Sequence, residues 1–325
     1  MLLLDEVHHV ADWSGRLKSQ WDRLRRRRLP LHVVVSGSSA LLVGAGSRES
    51  LAGRFERTVL THWSARSIAG AFGVLPEEAA RAVVLTGGYP GAFPLRGDPP
   101  RWRAYVRDAI LEPAIGRDIL ATRSVQRPAL LRQLFALAAG MPAAIVSLQK
   151  LQGQLQDRGA LETIAHYLAL LADAFIVVGL EKFSPRVHRR RSAPPKLVVL
   201  DNGLLAAIGS TTPPDTGNDR ARFGSWVENA CLAFAVNEGQ HVSYWREEPF
   251  EVDGVIDGSW GKWAIEVTTG AAGPEHLRGL GEFTKRHPEY RPLLVTSPGR
   301  SAASIAGVPT ITWQQFLLDG PAASL

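Results

Sequence analysis

The chain begins with an apolar run that stops on two acids, "LLLDEV" at residues 2–7. Three leucines in a row suit a strand buried on both faces, and Asp5 and Glu6 then fall at its carboxyl end, where open α/β sheets gather their ligands. A second run of the same kind, "LHVVVSGSS" from Leu31, follows a basic amphipathic segment, Trp13 to Arg28, whose spacing predicts a helix. Strand, helix, strand in this order is the start of an α/β sheet, and it constrains residues 1–70 more than any other feature.

The rest of the chain changes pattern twice. Helical periodicity runs from Pro76, through "WRAYVRDAILEPAI" and segments at 129–139, 144–156 and 161–174, into the apolar strand "FIVVGLEKF". Several short helices closed by a strand predict a winged helix, which serves either to read DNA or as a plain spacer. From about Ala221 the order becomes helix, three strands ("HVSYWRE", "FEVDGVID", "KWAIEVTT"), helix, then "RPLLVTS" and "PTITW". The expected units are therefore 1–70, 71–210 and 211–325.

Composition narrows the function classes. A length of 325 residues is ample for several cores, and 45% apolar with 21% charged residues is the balance of a folded globular protein. The net charge of +6 permits a nucleic-acid partner without requiring one. Arg23 to Arg28 reads as the solvated end of a helix, whereas Arg186 to Arg191 sits in a Pro/Ser-rich loop and could follow phosphates. A lone Cys231 excludes an internal disulfide and fits a reducing compartment. No stretch has the length of a membrane span or the layout of a signal peptide, so a cytoplasmic protein without a membrane partner is expected.

Three acids carry the strongest chemical hint in the C-terminal part. Glu228 lies on the expected helix, Asp253 in "EVDGVI" and Glu266 in "AIEV", a spacing that would place carboxylates at the ends of adjacent strands. Hard divalent ions take oxygen ligands of this kind, and the bound ion activates water in metal-dependent nucleases. Such sites also use a lysine two residues after the last acid. Thr268 stands there.

In order along the chain, "LLLDEV", "VVVSGSSA", "SLAGRFE", "LTGGYPGAF", "PPKLVVLDNGLL", "FGSWVENACL", "YWREEPFEVDGVI" and "AIEV" resemble prokaryotic AAA-type ATPases that carry a winged helix and a C-terminal restriction-endonuclease-like domain. The fold this resemblance implies is α/β: a partial AAA sheet, a helical winged-helix region and a nuclease-like α/β domain. It implies ATP and Mg²⁺ as cofactors of the complete protein. Asp5 would be the metal-associated acid, Glu6 the base that orients water, and Ser36 or Ser38 the sensor of the γ-phosphate. Arg54 in "SLAGRFE" would be either an arginine finger acting across a homo-oligomer interface or a structural ion-pair residue. The phosphate-gripping Gly-Lys-Ser/Thr loop of such proteins is not found in the sequence, and "GAGSRES" does not replace it. The expectation is a truncated member that does not hydrolyse ATP as it stands, with its C-terminal part recognising a protein or nucleic acid. A free-standing interaction module is the second reading and a metal-dependent nuclease the third.

Overall fold

The computed structural model describes residues 1–37, 51–119, 125–156, 159–185, 193–208, 214, 219–299 and 304–324. Ser38, the "GAGSRES" segment and the Arg186 to Arg191 loop lie outside the described residues.

The first strands form where the apolar runs predict, but β1 is not the buried strand that its leucines suggest, because no layer among the described residues covers it. β1 (Leu2–Leu4) and β2 (Val33–Val35) pair in parallel, with Leu4 opposite Val35, and α1 (Trp13–Arg26) connects them. They make a two-stranded sheet, and Leu2, Leu3, Leu4 and Val34 are exposed.

Helices dominate from residue 65, each starting on a recognisable signal. α2 (Ala65–Phe72) is capped by Ser64, whose Oγ accepts from the Ser67 N–H, and α3 (Pro76–Thr86) begins on proline. α4 (Pro99–Tyr105) is capped by Asp98 and continues into wider π turns at Val106–Leu111 and Pro113–Ile119, around Pro113. Proline has no N–H to close the usual i→i−4 bond, so the loosened turns fall where one is missing.

Next come α5 (Pro128–Gly140), β3 (Ala144–Ile145), α6 (Leu148–Gln154), α7 (Leu161–Asp173), β4 (Val177–Leu180) and β5 (Lys196–Val199). The sequence pattern predicts one helix over 144–156. Instead its first two residues join the sheet, and Ser147 then caps the shorter helix. The three strands form an antiparallel sheet in the order β3-β5-β4, and every residue of the central β5 is buried. α8 (Asn202–Ile208) follows.

The last unit is built on α9 (Arg220–Asn237) and a six-stranded sheet. Its strands are β6 (His241–Glu247), β7 (Phe250–Gly258), β8 (Gly261–Val267), β9 (Arg291–Thr296), β10 (Ser304–Ile305) and β11 (Val308–Thr312), in the order β10-β11-β9-β8-β7-β6. β6, β7 and β8 are antiparallel, while β9 lies parallel to both β8 and β11. α10 (Pro274–Arg286) makes the crossover from β8 to β9. α11 (Trp313–Asp319) starts on a reciprocal capping box between Thr312 and Gln315.

One hydrophobic core runs without a break from Ala65 on α2 to Leu317 on α11, passing through β4, β5, α9 and the sheet. α9 is apolar on nearly all sides because it is enclosed by this core. A second cluster, with Trp245, Val252, Leu280, Phe283 and Tyr290, packs α10 against the sheet.

Candidate functional site

Two clusters of the expected site residues form, one in each half of the molecule. At the N-terminus the parallel register sets Asp5 and Ser36 side by side, just past the carboxyl ends of β1 and β2. The Ser36 N–H donates to the Leu4 carbonyl at 2.9 Å, and the Ser36 hydroxyl donates to Asp5 Oδ1 in a short hydrogen bond. Asp5 Oδ1 also accepts from the Glu6 N–H at 3.0 Å. Glu6 has φ 52° and turns the chain into a short 3₁₀ segment, where His9 Nε2 lies 3.6 Å from its carboxylate. Arg54 is not brought to this pair: its Nε stands 3.6 Å from Asp22 Oδ1 on α1.

The second cluster lies where β5 meets the large sheet. Glu228 projects from the middle of α9. In the β6–β7 ladder Ser243 faces Val255 and Trp245 faces Val252, so Asp253 and Gly254 together oppose Tyr244. Bulges of this kind re-aim side chains. Asp253 and Glu266 thereby share one buried site with Glu228, with the half-exposed Glu251 at its edge, but its centre is held by a residue the sequence analysis did not single out. Lys196, the first residue of β5 and 1% exposed, places Nζ 2.5 Å from Glu228 Oε1, 3.0 Å from Asp253 Oδ1 and 3.9 Å from Glu251 Oε1. It also donates to the Asp253 carbonyl at 3.2 Å, and Asp253 Oδ2 accepts from the Val267 N–H at 3.0 Å.

The electrostatics follow from one buried ammonium among several carboxyl groups. Burial alone would lower the Lys196 ammonium, but Asp253 and Glu228 outweigh it and hold the group above its ordinary range. Burial, with the charge of Asp253 added, pushes Glu228 up to about 8 and Glu266 up to about 10. Glu251 is raised for the same first reason. A protonated Glu266 is consistent with its buried Oε2, which has no hydrogen-bond partner among the described residues.

Does this site suit a divalent ion? Both Asp253 oxygens are already engaged, and an ammonium sits where the carboxylates converge, so the residues present do not fit a metal. Among the described residues no group of three or more His, Cys, Asp or Glu has the arrangement to hold one.

A third buried group explains several of the quoted motifs without chemistry. Asp201 accepts from the Gly88 N–H at 2.8 Å and the Gly203 N–H at 2.7 Å, with His62 Nδ1 3.8 Å away. Asn202 donates to the carbonyls of Val84 and Trp226, and Asn229 donates to Asn202 Oδ1 and the Val199 carbonyl. "LTGGYPGAF", "PPKLVVLDNGLL" and "FGSWVENACL" thus meet in a satisfied polar network that ties α3, β5 and α9 together.

Known proteins match these parts unevenly. Residues 1–69 match a family model described as an AAA domain, and residues 77–215 match one described as a domain of unknown function (DUF8612). Uncharacterized proteins of Mycobacterium bovis and Mycobacterium tuberculosis are each 30% identical over 277 residues, which is 82% of this chain and 58% of theirs. The chain therefore spans a little over half the length of these curated relatives. An uncharacterized protein of Haemophilus influenzae is 20% identical over 325 residues, or 98% of this chain and 77% of that protein. No solved structure matches. The first match covers Asp5, Glu6, Ser36 and Arg54, and it supports an AAA-type assignment for that part. Among the described residues no helix is long and apolar enough to cross a membrane.

Proposed function

We propose that residues 1–325 belong to an AAA-type ATP-binding protein whose C-terminal part recognises nucleic acid without cutting it. The neighbouring Asp5 and Ser36 support the ATPase reading. A metal-associated acid and a γ-phosphate sensor must reach the same phosphate, and adjacent parallel strands offer them together. Bound ATP·Mg²⁺ would supply the phosphoryl group and its charge-neutralising ion; Asp5 would face that ion, and Ser36 would fix the acid's rotamer through its hydroxyl. The sequence holds no Gly-Lys-Ser/Thr loop, so this stretch is expected to turn over no ATP by itself. Steady turnover by the purified chain, lost in Glu6→Gln, would overturn that expectation.

The order helix, strand, two helices, two strands over 128–199, with β5 central, supports a winged helix. The order α9, β6, β7, β8, α10, β9 supports a restriction-endonuclease-like domain. The single observation that carries the non-cleaving reading is Lys196. Its ammonium neutralises the acids from within, at the place where a nuclease needs a hard divalent ion. The net charge of +6 is compatible with a polyanion as the partner. Incubation with plasmid DNA and Mg²⁺ or Mn²⁺ tests it: the DNA is expected to remain intact. Cleavage that disappears in Asp253→Ala would restore the nuclease.

A further inference from the structure

We propose that a slot beside β6 takes one base of a single-stranded nucleic acid, with the adjoining phosphate on Lys182. This deepens the nucleic-acid reading above and rests on it.

The slot is a cavity of about 220 Å³ between three pieces of chain: Lys182 to Pro185 after β4, Trp245 and Glu247 on β6, and Arg286 and His287 at the end of α10. The first piece is fixed to the sheet, since the Phe183 N–H donates to the Tyr244 carbonyl at 2.6 Å and the Tyr244 N–H donates to the Glu181 carbonyl at 3.1 Å. The walls are therefore built before any ligand arrives. Three of them are rings: Phe183 and His287 meet edge to face with centroids 5.0 Å apart, and Trp245 stands under Arg286, whose guanidinium carbon is 5.6 Å from the indole.

The volume suits one planar ring system rather than a drug-sized ligand. Charge selects what that ring carries. Among the residues that line the slot, Arg286 and Glu247 are paired and cancel, and Glu282, which also binds Arg286, lies off the lining. Lys182 has no acidic partner among the described residues, which leaves one cation at a ring-walled slot. A flat π system joined to a single negative charge is the repeating unit of a nucleic-acid strand. A base can enter only when it is unpaired, so the strand must be single. Stacking of this kind is indifferent to base identity, and binding should show little sequence preference.

The test uses the full chain and a fluorescein-labelled 12-nucleotide oligo-dT, read by anisotropy across a salt series. Lys182→Ala is expected to flatten the slope of log K against log salt by about 0.7, as for one lost phosphate contact. Phe183→Leu is expected to weaken binding by about tenfold while leaving that slope alone. Phe183 also packs on Phe283 and Tyr290, so thermal unfolding must show the variant folded. An abasic 12-mer of equal charge should lose the Phe183 effect and keep the Lys182 effect. Oligo-dT binding unchanged in both variants would overturn the slot while leaving nucleic-acid recognition elsewhere on the protein standing. Absence of binding to oligo-dT and to duplex DNA would overturn the broader reading, and the slot with it. Binding of a Glu-rich peptide that depends on Lys182, with oligo-dT ignored, would overturn the slot in favour of a protein partner.

Discussion

Residues 1–64 and residues 65–325 are built from equally apolar segments, yet they dispose of them in opposite ways. Of the large hydrophobic side chains left exposed among the described residues, Met1, Leu2, Leu3, Leu4, Val10, Leu29, Val34, Phe55, Val59, Leu60 and Trp63 fall in the first region, and only Leu75 and Tyr105 in the second. The buried apolar core shows the reverse, with only Val7 and Leu51 contributed before Ala65 among the described residues. Parallel strands with apolar residues on both sides are stable when both faces are covered. β5 sits between two strands and beneath α9, whereas among the described residues β1 has β2 alone. The same strand chemistry is therefore a core in one place and an open surface in the other.

The largest expected effect tests this contrast directly. Limited proteolysis should cut before about residue 75 and leave a resistant C-terminal fragment, because opening free energy follows local burial. Uniform protection of the first 64 residues in a monomer would break the comparison and mean that something else covers the sheet. The exposed apolar edge also predicts self-association that rises with concentration.

Within the second region the next effect comes from Lys196. Lys196→Met removes the buried ammonium that contacts Asp253 and Glu228, and breaking such a pair costs about 3–5 kcal/mol. The loss should appear as a fall in Tm, and adding Glu228→Gln and Asp253→Asn should recover part of it. A single variant as stable as the parent would show that the carboxylates there are protonated without help.

A pH series sharpens the same point. Glu228 and Glu266 prefer their protonated forms in the fold, at about 8 and about 10 against an unfolded value near 4.5. The native state therefore binds more protons than the unfolded state through this window, and stability must fall as pH rises from about 5 toward 9. The Lys196 contribution is constant until its unfolded value near 10.5 is passed. A Tm that rises over the same range would contradict the burial of these acids.

Gly87 tests the polar junction under Asp201. Its φ is 77° and its ψ −178°, a conformation open mainly to glycine, and an added Cβ would lie 1.9 Å from Asp201 Oδ1 and 2.4 Å from the Gly203 nitrogen. Gly87→Ala should cost about 3 kcal/mol, whereas an alanine at Gly53, which meets nothing within 4 Å, should cost only its backbone strain.

These sites differ in how far they could be read from the sequence. Asp5 and Ser36 were legible because each ends an apolar run, and parallel pairing of two such runs leaves little freedom of register. Glu228, Asp253 and Glu266 were legible as acids on elements bound to adjoin. Lys196 was not: it lies 57 residues before Asp253, and "PPKLVVL" reads as a strand whose first residue faces water. Only the position of that strand, buried along its whole length, turns the ammonium inward. A charged residue opening an otherwise apolar strand was the available signal, and it has meaning only once a set of unpaired acids is known. Glu251 was missed for a related reason, since the bulge in β7 that brings it toward the cluster leaves no mark in the alternation of residues. Asp201 ends an apolar strand as Asp5 does, but its oxygens are consumed by the N–H groups of Gly88 and Gly203.

The smallest expected effect concerns Arg54, where finger and structural ion pair were both open. The Arg54–Asp22 contact is 3.6 Å long and joins side chains that are 34% and 42% exposed. Solvent screens a pair of this kind, and its measured worth is typically under about 1 kcal/mol. Arg54→Ala should therefore leave Tm and the proteolytic pattern of residues 1–64 unchanged within error. Asp22→Ala should do the same, since each partner is well solvated when released. A fall of several degrees in both single variants, with no further fall in the double variant, would show that the pair anchors the N-terminal region and that Arg54 is structural. Unchanged stability leaves the guanidinium available to a neighbouring subunit. In that case ATP turnover by an assembly holding the complete nucleotide site should drop by about 10³-fold or more in Arg54→Ala, as expected for loss of a finger.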